Sequence, residues 1–240
     1  MIATTFVFAV QDVISRYLAE EYNAITIVMI RYWFFGLFVI CINFPLRKDF
    51  SKKVKSKHPF LQIFRGAILA CEVCVMVFAF TKLGLVESHA IFACYPLIVF
   101  LLSGPVLKEK INFHQWTAIF CGFCGIIILL KPGSEVFNIY AIIPLTSAML
   151  FAIYNILTRQ VALSDSSETS YFWTGISGTF FISLIGPFFW QPIHVNDWQY
   201  MALLCISGAI GHYLLIKTLE VAEVSVVQPY AYFQLIFASG

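Results

Sequence analysis

Four ionisable side chains stand inside long apolar runs: Asp12, Arg31, Glu72 and His212. A charge at the centre of a lipid bilayer costs about 2.5–3.5 kcal/mol on insertion scales, so such residues normally face the interior of a helix bundle. Glu72, near the middle of its run, has three chemistries open to it: binding a cationic group, carrying a proton, or pairing with Arg31 or Arg65. Asp12 and Arg16 are spaced i, i+4, which suits a local ion pair as well as a cavity wall. Arg31 lies close enough to the end of its run to snorkel to an interface, or to hold a carboxylate. His212, flanked by Gly208 and Gly211, reads as a packed hydrogen-bonding residue or a proton relay. Asn155 is a fifth polar residue in an apolar run. Tyr95, Gln228, Tyr230 and Tyr232 cluster around Pro96 and Pro229. Prolines there free backbone carbonyls, and tyrosine rings either wall a site for an amphipathic organic molecule or hydrogen-bond between helices.

Two further motifs compete with that reading. Cys71/Cys74 and Cys121/Cys124 have CxxC spacing. A tetrahedral metal needs four converging ligands, and two thiols on one helical face do not supply them. The seven cysteines are odd in number and all lie in apolar runs, which argues against a disulfide framework. They read as packing residues, and no cofactor or metal is expected. Gly175-Ile-Ser177-Gly178 followed by His212 is similar to the serine and histidine of rhomboid-type intramembrane proteases, a nucleophile–base pairing. That alternative lacks an upstream Asn or His to stabilise an oxyanion, so the chain is not expected to be an enzyme.

The elements that carry these residues follow from composition. The chain has 240 residues, 60% hydrophobic and only 12% charged, where soluble domains carry about a quarter charged. Most of its surface must therefore face lipid. Apolar runs of about 20 residues span the hydrocarbon core. Nine are found, at 2–18, 25–46, 61–82, 87–107, 113–131, 137–159, 169–190, 198–217 and 224–240. The first has no basic flank or small-residue cleavage site and reads as a span, not a signal peptide. The connection 47–58 carries six Lys/Arg. It reads as a cytoplasmic loop against anionic headgroups and not as a nucleic-acid site. With that loop inside, the inner connections hold ten Lys/Arg and the outer three (Arg16, Lys82, Lys131). This bias places the N-terminus in the cytoplasm.

The chain also repeats itself. Residues 8–19, FAVQDVISRYLA, align without gaps to 151–162, FAIYNILTRQVA, pairing Phe8 with Phe151, Asp12 with Asn155 and Arg16 with Arg159. At a slightly smaller offset Leu83, Glu87, Ser103 and Gly104 meet Leu219, Glu223, Ser239 and Gly240. Each unit then holds five spans, and an odd number inverts the second copy in the membrane. The expected domains are 1–131 and 132–240. Inverted repeats with a midplane site are characteristic of secondary transporters.

The pattern DVISRYL at 12–18, Arg31-Tyr32, Arg65-Gly66, YPLIVFLLSGPVLKEKI at 95–111 and QPYAYFQLIFASG at 228–240 resembles the EamA family of the drug/metabolite transporter superfamily. The resemblance implies an all-α fold, a polytopic bundle of two inverted five-helix repeats around a central cavity, moving small metabolites or drugs across the bacterial inner membrane by alternating access. The family runs on into a tenth helix, so the chain reads as nine spans of ten: a fragment, a split gene, or a truncated product that does not transport. Within that frame the expected cavity residues are Asp12, Arg31, Glu72, Tyr95, Asn155, His212, Gln228 and Tyr230. The expected partners are a small-molecule substrate, the lipid bilayer, a coupling proton and a second copy in a homodimer, with no nucleic acid.

Overall fold

The computed structural model describes residues 1–43, 54–130 and 139–239. Most of the basic connection at 47–58, together with Lys131 and Gly240, lies outside them. Backbone groups in lipid have no water to bond, so apolar runs of this length must satisfy their own hydrogen bonds as helices. They do so as α1 (Ile2–Glu21), α2 (Ala24–Asn43), α3 (Pro59–Leu83), α4 (Leu85–Phe92), α5 (Tyr95–Leu107), α6 (Phe113–Leu130), α7 (Ile142–Ala162), α8 (Ser167–Ile185), α9 (Trp198–Val221), α10 (Val224–Val227) and α11 (Phe233–Ser239). Among the described residues no strand is present. Six helical stretches are long and apolar enough to cross a membrane: Ala24–Ile42, Pro59–Leu83, Leu85–Leu107, Ile139–Ala162, Ser167–Phe189 and Val195–Val221. The other three expected spans, 2–18, 113–131 and 224–240, are helical over their described residues but are not among those six.

The breaks fall where proline forbids continuation. Pro96 opens α5 just after α4 ends, and Pro229 opens the tight 3-10 segment Gln228–Tyr232 between α10 and α11. A proline without an N–H is tolerated in a first turn, where that donor has no partner in any case.

α3 packs on α7 and α8, α1 on α9 and α11, α2 on α8 and α9, and α5 on α7. Helix ends gather at two poles. At one, Tyr22 donates to Asp197, the Asn23 N–H to Gln191 and Thr26 to the Phe189 carbonyl. At the other, Asp165 accepts from Ser56, the Lys57 N–H and Gln62, while Glu109 accepts the N–H groups of Val224 and Ser225 at 3.0 and 2.9 Å. Burial raises the Asp165 pKa, but those three donors outweigh it and hold the carboxyl below the ordinary aspartate range. Arg16 lies near the first pole and Arg159 at the second, where it donates to the Leu219 and Glu220 carbonyls. The outer surface is rich in exposed large apolar side chains such as Phe60, Leu37, Phe120 and Phe180. This suits a lipid environment.

Candidate functional site

The polar residues of the core divide into two groups. One surrounds Arg65, which is fully buried between α3, α7 and α8. Its guanidinium donates to Thr158 at 3.0 Å, Gln62 at 2.8 Å, the Ser170 carbonyl at 2.6 Å and Thr174 at 2.7 Å. It also lies over the Tyr154 ring at 5.4 Å. Gly66 lets α8 approach, since a Cβ there would stand 2.6 Å from the Ser177 Cβ. This region is filled.

The second group lines a cavity that runs from mid-bundle toward the pole of Tyr22 and Asp197. α1 presents Phe8, Gln11, Asp12 and Ser15, and α3 presents Glu72, Val73, Met76, Val77 and Phe80. Both sets follow helical periodicity, in which residues three and four apart share a face. α2 supplies Arg31, α4 His89 and Phe92, α7 Phe151, α9 His212 and α11 Gln234. Arg31 lies along α9 because position 208 is glycine: a Cβ there would meet its Nε at 2.7 Å. Its Nη2 is 3.1 Å from His212 Nε2. A guanidinium only donates, so Nε2 accepts and the imidazole proton sits on Nδ1, which has no partner. Phe8 and Phe35 flank that ring, with centroids at 5.3 and 6.2 Å.

The carboxylates have different company. Asp12 accepts from Gln234 Nε2 at 2.8 Å and lies 3.3 Å from His89 Nε2. Glu72 accepts from Ser147 at 2.7 Å. Arg16, spaced to pair with Asp12, pairs instead with Glu20 at 3.1 Å, because Asp12 turns inward. Glu72 makes no ion pair with Arg31 or Arg65: Arg65 turns its terminal nitrogens to α7 and α8, and Arg31 is turned to His212 instead of snorkelling outward. Four buried polar atoms on the wall, Gln11 Oε1, Ser15 Oγ, His89 Nε2 and His212 Nδ1, have no hydrogen-bond partner. Buried polar atoms in native folds are nearly always paired, so a wall with several orphans reads as built for something else.

Asp12, Arg31, Glu72 and His212 thus share one cavity. Tyr95 lies beside it, packed on Phe92 and Phe151 at 4.8 and 4.9 Å and lining a smaller space with His89 and Gln234. Asn155 is buried below Phe151, donating to that residue's carbonyl at 2.8 Å. Gln228 is buried with neither amide atom paired, and Tyr230 is 47% exposed on the outside. The aromatic wall is phenylalanine (Phe8, Phe80, Phe92 and Phe151) and not the tyrosine cluster of the last span. His89, Gln11, Gln234 and Ser147 were missed. Each carried the same signal as the residues singled out, a polar side chain in an apolar run. Ser177 Oγ has no partner and His212 is engaged by Arg31, so the serine–histidine pair of a protease is not formed. All seven cysteines are free thiols.

Comparison with known proteins agrees with this arrangement. An S-adenosylmethionine uptake transporter of Rickettsia prowazekii is 23% identical over 240 residues, covering 96% of this chain and 78% of its own length. A riboflavin transporter of Brucella anthropi is 23% identical, covering 96% of this chain and 83% of its own. A solved crystal structure superposes with a TM-score of 0.77 at 14% identity, over 99% of this chain and 84% of that one, a likeness of fold. The profile of the EamA-like transporter family matches residues 1–131. With more than half its length under that profile, and an all-helical apolar bundle closed around a polar cavity, the chain belongs to the EamA-like transporter family.

Proposed function

We propose that the chain carries a small organic metabolite across the cytoplasmic membrane of a bacterium by alternating access, with the cavity of Asp12, Arg31, Glu72 and His212 as its site. The observation that carries this reading is the cavity itself: ionisable side chains from α1, α2, α3 and α9, each costly in lipid, converge on space walled by phenylalanine. The relatives named for S-adenosylmethionine and riboflavin uptake point to a solute with a heterocyclic ring and a polar arm.

The motion follows from two inverted halves, 1–131 and 132–240, with nine spans over this sequence. Three packing observations support that division. α1 packs on α9 as α3 packs on α7, and α1 on α11 as α5 on α7, the exchange expected of a two-fold axis in the membrane plane. Phe8 and Phe151, equivalent in the repeat, meet edge to face at 6.5 Å beside the cavity. Arg16 and Arg159, also equivalent, stand at opposite poles. With the N-terminus in the cytoplasm, the cavity extends outward, and the Glu109 and Asp165 contacts hold the cytoplasmic pole together.

Uptake by cells expressing wild type or Glu72→Gln, across a panel of labelled metabolites, tests the reading. Wild type is expected to move at least one solute, and the variant at about a tenth of that rate or less, as when one charged contact to a ligand is lost. A chain that moves no solute is a non-transporting membrane protein, and that result overturns the reading.

A further inference from the structure

The cavity holds two carboxylates, Asp12 and Glu72, and one guanidinium, that of Arg31, with His89 and His212 beside them. Asp12 accepts from Gln234 and lies 3.3 Å from His89 Nε2, and Arg31 is turned to His212. Glu72 is only 5% exposed, yet its one hydrogen bond is to Ser147 through Oε1, which leaves Oε2 without a donor. An ionised carboxylate buried without a counter-charge costs several kcal/mol, so a cation or a proton must complete this one. Gln11 Oε1 on the facing helix is a buried acceptor without a donor. Among the described residues no three Asp, Glu, His or Cys side chains gather to hold a metal. The apolar part of the wall is Val73, Met76, Val77 and the rings of Phe8, Phe80, Phe92 and Phe151. Aromatic faces of that kind favour an alkylated organic cation, which is large, weakly hydrated and poor in hydrogen-bond donors.

We infer that this cavity selects a metabolite bearing a fixed organic cation, a sulfonium or quaternary ammonium centre, with Glu72 as its counter-charge and the phenylalanines as its cage. The inference rests on the transport reading above and adds the charge that the solute must carry.

S-adenosylmethionine and S-adenosylhomocysteine isolate that charge. They share adenosine and the amino-acid arm, and differ by the methyl group that makes the sulfur a cation. Binding of both, and of neutral riboflavin, is measured by calorimetry on the full chain in lipid nanodiscs, alongside uptake into proteoliposomes. Wild type is expected to bind S-adenosylmethionine at least about tenfold more tightly than S-adenosylhomocysteine. In Glu72→Gln that preference is expected to fall to near unity, mostly through loss of S-adenosylmethionine affinity. Should that variant fail to elute as a single folded species, Phe92→Leu replaces it and is expected to narrow the same ratio. Equal binding of the two compounds by wild type overturns the inference and leaves Glu72 with a proton. So does a preference that survives in a folded Glu72→Gln. Riboflavin binding and uptake without S-adenosylmethionine binding overturns it too, while leaving the transport reading intact. Absence of binding and uptake for all three overturns it as well, and the transport reading falls only if the metabolite panel also shows no solute moved.

Discussion

Arg65 and Arg31 are each buried where three helices meet: α3, α7 and α8 for the first, α2, α1 and α9 for the second. Their company differs. Arg65 has four neutral acceptors within hydrogen-bond distance of its terminal nitrogens and an aromatic face, although its Nε and the Tyr154 hydroxyl are unpaired. Arg31 has one imidazole, on a wall where Gln11 and Ser15 are left unpaired. A satisfied polar network rigidifies a core, whereas a partly satisfied one costs stability unless a ligand completes it. The first arginine reads as architecture and the second as part of a site.

The largest effect is expected at Arg65. Arg65→Met leaves Gln62, Thr158 and Thr174 facing a thioether, at about 1–3 kcal/mol for each buried group that finds no new partner. The variant should lose its folded population in a thermal-shift assay on detergent-solubilised protein. Loss of transport with unchanged thermal stability would reverse the roles assigned to the two arginines. Gly208→Ala comes next. Its Cβ would stand 2.7 Å from Arg31 Nε, and overpacking of this kind costs about 1–3 kcal/mol. Transport should fall several-fold while the protein still elutes as one species.

Asp165 anchors the helix ends beside Arg65, through Gln62. Its carboxyl lies below its unperturbed value of 3.8 in the folded protein: burial raises it, but the Ser56, Lys57 and Gln62 donors prevail. The stabilisation is therefore complete above that value and is lost as pH falls through the lower folded value. Thermal stability of wild type should drop on acidification in that range. Asp165→Asn should be less stable by about 1 kcal/mol at neutral pH, because one oxygen acceptor becomes a donor, and should lack this contribution to the acid slope. The smallest effect belongs to Tyr230, exposed outside both regions. Tyr230→Phe should leave stability within about 0.5 kcal/mol of wild type, and uptake unchanged. A uptake defect there would extend the site beyond the Arg31 cavity.

Much of this was legible in the residues alone. Runs of about 20 apolar positions must be helices in lipid, and the interruptions at Pro96 and Pro229 follow from a missing N–H. The cost of an intramembrane charge singled out Asp12, Arg31, Glu72 and His212, which the fold brings around one space. The same cost could not separate Arg31 from Arg65, nor tell that Tyr230 faces outward while Phe151 faces in. Asn155 was chosen as the repeat partner of Asp12, yet it turns to its own helix and bonds the Phe151 carbonyl.

Hydrophobicity and backbone hydrogen bonding act along a single helix, so composition and periodicity were enough to give an all-helical, multi-pass chain and the residues costly in lipid, although three of the nine expected spans are not among the six helices long and apolar enough to cross. Partnership acts between helices. Whether Glu72 meets Arg31, Arg65 or Ser147 depends on rotations and crossings set by close packing at positions such as Gly66 and Gly208. Those contacts exist only once the bundle has formed, and the tertiary fold leaves Arg65 closed and Arg31 on a wall with places still to fill.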